Sequence, residues 1–119
     1  MKLVRHPDFD PANPPKAFDL PPNPYWWDDI KGYEPAKEAK LRSVDMLILQ
    51  GEQDFQVPKE SLLGWKEVYK GRTNVDFRTY PGLTHLFTKG SLDKGIQNYL
   101  NADNVDKQVI DDIANWILN

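Results

Sequence analysis

The sequence predicts an α/β unit built on one strand–helix–strand crossover. Three observations predict it. Met46-Leu47-Ile48-Leu49 is a continuous apolar run, the pattern of a strand covered on both faces. Val75, Phe77 and Thr79 alternate with Asp76, Arg78 and Tyr80, the period of a second strand, wetter on one side and so nearer an edge. Between them Leu62, Trp65, Val68 and Tyr69 recur near helical spacing. Two strands joined through a helix run parallel with a right-handed crossover. The expectation is a short parallel sheet, strands 46–50 and 75–80, flanked by helices.

The remaining elements follow in order. Residues 1–24 carry seven prolines, which fix φ and disfavour helix in the residue before each. They read as an extended connector anchored by Val4, Phe9, Phe18 and Leu20, and residues 25–119 as the folded body. Tyr25, Trp26 and Trp27 are adjacent, so they cannot all share one helix face. They read as packing of a short turn, with the wall of a substrate pocket as the alternative. Residues 34–41 suit a short helix, with Pro35 at its first position. A helix is expected from Pro58 to about Tyr69, closed by Gly71. Residues 88–104 read as a loop with at most a turn near Ile96–Leu100. A last amphipathic helix runs from about Val105 to Leu118, capped by Asn104 or Asp106, with Val109, Ile113, Trp116 and Ile117 buried and Ile110 alongside.

Bulk properties narrow the function. The 119 residues suit one small domain. A formal charge of −3 lacks the basic footprint of a general nucleic-acid binder. There is no cysteine, so thiolate metal sites and disulfides are excluded. No apolar run approaches the roughly 20 residues of a membrane span, and the N-terminus has no signal-type core, which makes the cytoplasm the default expectation. No glycine loop of phosphate-cradling type is present, so no cofactor is expected. His6, Asp8 and Asp10, with His85, are candidate metal ligands by residue type, but the first three read better as ordinary polar residues of a connector, and no metal is expected.

Two residues carry chemistry. Asp54 lies five positions past Leu49, and His85 five past Tyr80. In an α/β sheet, ligands gather beyond the carboxyl ends of the strands. Parallel neighbours would bring both residues to one rim. A carboxylate beside an imidazole selects one tautomer and stabilises the imidazolium formed in acyl transfer.

The two loops resemble those of the alpha/beta-hydrolase superfamily. Leu49-Gln50-Gly51-Glu52-Gln53-Asp54-Phe55-Gln56-Val57-Pro58 looks like its apolar strand followed by G-x-x-D-x-x-V-P. Tyr80-Pro81-Gly82-Leu83-Thr84-His85-Leu86-Phe87 looks like its histidine loop, and acid before histidine is the order of that fold. The branch most similar is that of dienelactone hydrolases and prolyl-oligopeptidase-like esterases and peptidases. The resemblance spans roughly residues 25–118 and implies the C-terminal part of such a fold, with Asp54 as triad acid and His85 as general base. It implies a small ester or peptide substrate, with Phe55, Leu86, Phe87 and Trp26 at the acyl pocket.

One part of the pattern is missing. The family's serine sits on a G-x-S-x-G elbow earlier in the chain, and Ser43, Ser61 and Ser91 match no such elbow. The expectation is therefore the acid-and-base part of a serine hydrolase, inactive alone because triad members act as a unit. The competing reading is a non-catalytic module that binds or self-associates through an exposed sheet edge.

Overall fold

β1 (Met46–Gly51) and β2 (Val75–Tyr80) pair in parallel, in register from Met46 opposite Val75 to Gly51 opposite Tyr80. The computed structural model describes residues 6–15, 23–100 and 103–119. The chain divides into two units, Met1–Pro35 and Ala36–Asn119, where the sequence places its boundary at residue 24.

In the first unit, Asp10 turns the chain: its carboxylate accepts from the Ala12 N–H at 2.9 Å and the Asn13 side chain at 2.8 Å. Phe9 is buried, as expected of an anchor, while Val4, Phe18 and Leu20 lie outside the described residues. The aromatic run is helical rather than a turn. α1 (Pro24–Ile30) starts at Asn23, whose side chain accepts from the Trp26 N–H, with Pro24 in the first turn.

The second unit holds the sheet. α2 (Pro35–Lys40) precedes β1, and α3 (Ser61–Val68) joins the strands. α3 begins three residues later than Pro58, because Pro58–Glu60 form turns that accept from the Ser61, Leu62 and Leu63 N–H groups. It ends through Tyr69 into Gly71 at φ 80°, the left-handed position glycine tolerates. β2 alternates as its sequence requires. On one face Lys66 of α3 lies over the Phe77 ring, and on the other Arg78 and Tyr80 reach Asp112 of α4 (Lys107–Leu118) while Asp76 accepts from Trp116. Helices thus flank both faces of the sheet.

Three expectations need correction. Met46–Leu49 are half-buried, not buried on both faces. Among the described residues the sheet has two strands only, so each keeps an open edge. Residues Leu92–Tyr99 form a 3-10 segment (η1) kinked at Gly95 (φ 49°, ψ −129°), not a loop with one turn. Asn98 organises it, bonding the Ser91 N–H, the Ser91 carbonyl and the Gly95 carbonyl. Finally, α4 starts at Lys107 behind an Asp106 cap, and of its apolar stripe only Val109 is buried. Ile110 (54% exposed), Ile113 (36%) and Ile117 (68%) remain open. The core is Tyr80, Leu83 and Val109, with Leu49 and Phe87 packed on it.

Candidate active site

The parallel register ends both strands at the same rim, Gly51 beside Tyr80. The loops that follow are then stitched together by main chain. The Glu52 N–H donates to the Tyr80 carbonyl at 3.1 Å, and the Gln53 N–H to the Leu83 carbonyl at 2.9 Å. Gly51 permits this approach. A Cβ there would lie 2.4 Å from the Thr84 carbonyl oxygen and 2.5 Å from that of Leu83.

The histidine loop is a tight hairpin. Leu83 and Lys89 form an antiparallel bridge, Thr84 N–H donates to the Thr88 carbonyl, and the two buried threonine hydroxyls bond each other at 3.0 Å. His85 and Leu86 sit at its tip. Phe87, at φ 55°, holds a left-handed conformation that disfavours a side chain by about 1–2 kcal/mol. Its ring packs edge-on to Tyr80 at 5.8 Å, and its carbonyl accepts from the Asp106 N–H at 2.9 Å. Core packing thus turns Phe87 inward and leaves His85 outward.

Asp54 and His85 meet, as the sequence predicts. His85 Nδ1 lies 2.8 Å from Asp54 Oδ2. The Asp54 side chain is 5% exposed and the His85 ring 42%. Asp54 Oδ1 accepts from the Gln56 and Val57 N–H groups, each at 2.8 Å. Burial, the largest single influence, pushes the Asp54 carboxyl up. The Val57 N–H, His85 and the Gln56 N–H together outweigh it and hold the group below the ordinary carboxylate value. A carboxylate has no proton to give, so Nδ1 donates and the Nε2 lone pair is left for a substrate or nucleophile. This is the arrangement of a general base backed by an acid.

The other sequence candidates fall in different places. Phe55 is half-buried, 5.5 Å from the Tyr99 ring, and lines a hollow of about 300 Å³ with Asp54, Pro58 and Leu92. Leu86 is exposed at the hairpin tip, whereas Phe87 belongs to the core. Trp26 lies in the first unit, edge-on to Trp27 at 4.7 Å. The Ser91 side chain bonds Asp93, Ser43 is exposed ahead of β1, and Ser61 opens α3. His6 pairs loosely with Asp8 at 3.6 Å, and among the described residues no three His, Cys, Asp or Glu side chains gather to hold a metal. No described helix is long and apolar enough to cross a membrane.

One contact at the site is not anticipated from sequence. Gln50, within β1 as expected, is buried, with its amide nitrogen 3.3 Å from Asp54 Oδ2. Its signal is a polar side chain directly after the apolar run of a strand, since a buried amide needs partners.

No family model matches the chain, and no solved structure matches it. Among curated proteins it is similar to the esterase EstD of Thermotoga maritima, 32% identical over 105 residues. The alignment covers 88% of this chain and 26% of that esterase, so the chain spans about a quarter of the length of its relative. Across that span the chain is related to an esterase-type hydrolase.

Proposed function

We propose that this chain supplies the acid and the general base of a Ser–His–Asp triad in an esterase-like serine hydrolase. The observation that carries the reading is the 2.8 Å bond between His85 Nδ1 and a buried, multiply bonded Asp54. The nucleophile comes from polypeptide outside these 119 residues. In acylation, His85 Nε2 takes the serine proton as the oxygen attacks the ester carbonyl. The imidazolium then returns that proton to the departing alcohol, and Asp54 stabilises the imidazolium while it lasts. Water repeats the cycle and releases the acid. Phe55 and Leu86 border the acyl group. The pattern of the loop Gly51–Pro58 supports a reading in the dienelactone-hydrolase and prolyl-oligopeptidase-like branch, with esters and peptides as the alternative substrates.

A chimera tests this. The matched segment of the Thermotoga esterase is exchanged for this chain, and p-nitrophenyl acetate hydrolysis is followed with His85→Ala and Asp54→Asn as partners. Turnover should fall by about 10⁴-fold or more in each variant. A folded chimera whose turnover ignores His85→Ala sinks the proposal. Hydrolysis by the chain alone that vanishes in His85→Ala would place the nucleophile inside these residues and overturn the split site.

The second reading is a non-catalytic assembly module. It draws on the exposed Ile110, Ile113 and Ile117 and on the open sheet edges, through which copies of the chain would pair. Sedimentation separates the two readings. A mass that rises with concentration in a chain silent to serine-directed phosphonate, with an inactive chimera, favours the module.

A further inference from the structure

On the triad reading above, we propose that Gln50 is the positioning residue that aims Asp54 at His85. Gln50 is the last residue but one of β1 and is 7% exposed. Its Nε2 faces three oxygens: the Gly51 carbonyl at 3.0 Å, the Val57 carbonyl at 3.2 Å and Asp54 Oδ2 at 3.3 Å. These stand at the beginning, the end and the functional centre of the acid loop.

The two carboxylate oxygens of Asp54 are held differently. Oδ1 is fixed by the Gln56 and Val57 main chain. That anchor leaves the carboxylate free to swing about the Oδ1 side. Oδ2, which meets the imidazole, has two partners, His85 Nδ1 and Gln50 Nε2. His85 is itself at an exposed hairpin tip and cannot immobilise its own acceptor. Gln50 is buried and anchored at both ends of the loop, so it can. An amide NH₂ has two hydrogens for these three oxygens, so one hydrogen is shared between two acceptors. The approach to Oδ2, at 3.3 Å, is the contact that a purely structural glutamine would not need. Glutamate at this position would set a second carboxylate against the first, which excludes it as a substitute.

The consequence is a single imidazole tautomer. With Oδ2 held, the proton stays on Nδ1 and Nε2 keeps its lone pair. With Oδ2 swinging, solvent competes for both nitrogens.

The test uses nitrogen-15 NMR on the full chain at about pH 8, where imidazole is mainly neutral. His6 serves as internal reference, because its Nδ1 accepts from the Asp8 N–H at 3.3 Å and it lies apart from the acid loop in sequence. Gln50→Met removes the donors at similar length. Gln50→Asn keeps an amide but withdraws it by one methylene. Both should lower the Nδ1–H to Nε2–H ratio of His85 by about tenfold, the scale of one hydrogen bond to a charged group, with His6 and the β2 amides unmoved. An unchanged ratio in either folded variant overturns the assignment. Loss of folding in both makes Gln50 a scaffold residue and overturns it equally. The chimera result is independent: an inactive chimera with the predicted tautomer shift removes the triad and leaves the positioning contact standing.

Discussion

Gly51→Ala is the sharpest perturbation of the site, because it adds one methyl group and touches neither Asp54 nor His85. The new Cβ would lie 2.4 Å from the Thr84 carbonyl oxygen and 2.5 Å from that of Leu83, with the Leu83 carbonyl carbon at 3.0 Å. Ordinary van der Waals contact begins near 3.4 Å, so one loop must retreat by about 1 Å. All three obstacles are main chain, and no rotamer change relieves them. The retreat stretches the Gln53-to-Leu83 hydrogen bond of 2.9 Å and the Asp54–His85 bond of 2.8 Å together. Overpacking of this kind costs about 1–3 kcal/mol, and a site displaced by 1 Å loses about 10²-fold in rate. Urea unfolding of the chain reads the first figure, and p-nitrophenyl acetate hydrolysis by the chimera reads the second. Stability within about 0.5 kcal/mol of wild type, with the His85 tautomer unchanged, would refute the close approach of the two loops.

Two titrations follow from the same structure. Asp54 is held below its ordinary value, so its contribution to stability is complete above the unfolded pKa of about 3.9 and lost as pH falls through the lower folded value. Asp54→Asn should therefore be less stable than wild type by about 1–3 kcal/mol at neutral pH, with the gap shrinking below about pH 4 in urea titrations; a gap independent of pH would sink the assignment. The Tyr80 phenol is pushed up to about 12 by burial and by its 2.9 Å bond to Asp112, with the Asp112 charge adding to the rise and Arg78 opposing it. The folded state then holds a proton that the unfolded chain releases, so this stabilisation is full below about pH 10 and falls by on the order of 2 kcal/mol toward pH 12. In Tyr80→Phe that loss disappears, and the wild-type advantage at pH 8 should fade or reverse by about pH 12. An ultraviolet difference titration that finds Tyr80 ionising like an ordinary tyrosine would contradict it.

The acid–histidine pair was legible because it follows from order rather than from detail. Two strands joined by a helix run parallel, parallel strands end on one rim, and Asp54 and His85 each follow a strand by a few residues. No side-chain contact had to be guessed. Gln50 was hidden for the opposite reason. Its role depends on the acid loop curling until Val57 returns to the end of β1, and that curl is built by main-chain N–H groups bonding Asp54 itself. The residue that closes the loop can be recognised only when the loop is closed. Phe87 illustrates a related limit. It follows the histidine and is apolar, which suits a pocket wall as well as a core. The positive φ imposed by the hairpin decides for the core.

The final helix shows what hydrophobic periodicity does and does not encode. Val109, Ile113, Trp116 and Ile117 recur at the spacing of one face, and the helix forms where they predict it. Yet Val109 alone is buried and Trp116 is half-buried, while β2 meets the helix through Asp112, Trp116, Arg78 and Tyr80, largely polar groups. A repeat of apolar residues records that a face is suited to burial. It carries no information on how much of that face a neighbouring element reaches. A two-stranded sheet is narrow, and its outward side chains on β2 are spent on ion pairs and hydrogen bonds. Exposed Ile110 and Ile117 are the remainder. Substituting both by lysine separates the two readings of the chain. Solubility and unfolding free energy should hold within about 0.5 kcal/mol in the isolated chain, because neither side chain packs there. The chimera should lose folding or turnover where the esterase scaffold covers this face, and a chimera indifferent to both lysines would show that nothing in an esterase needs it.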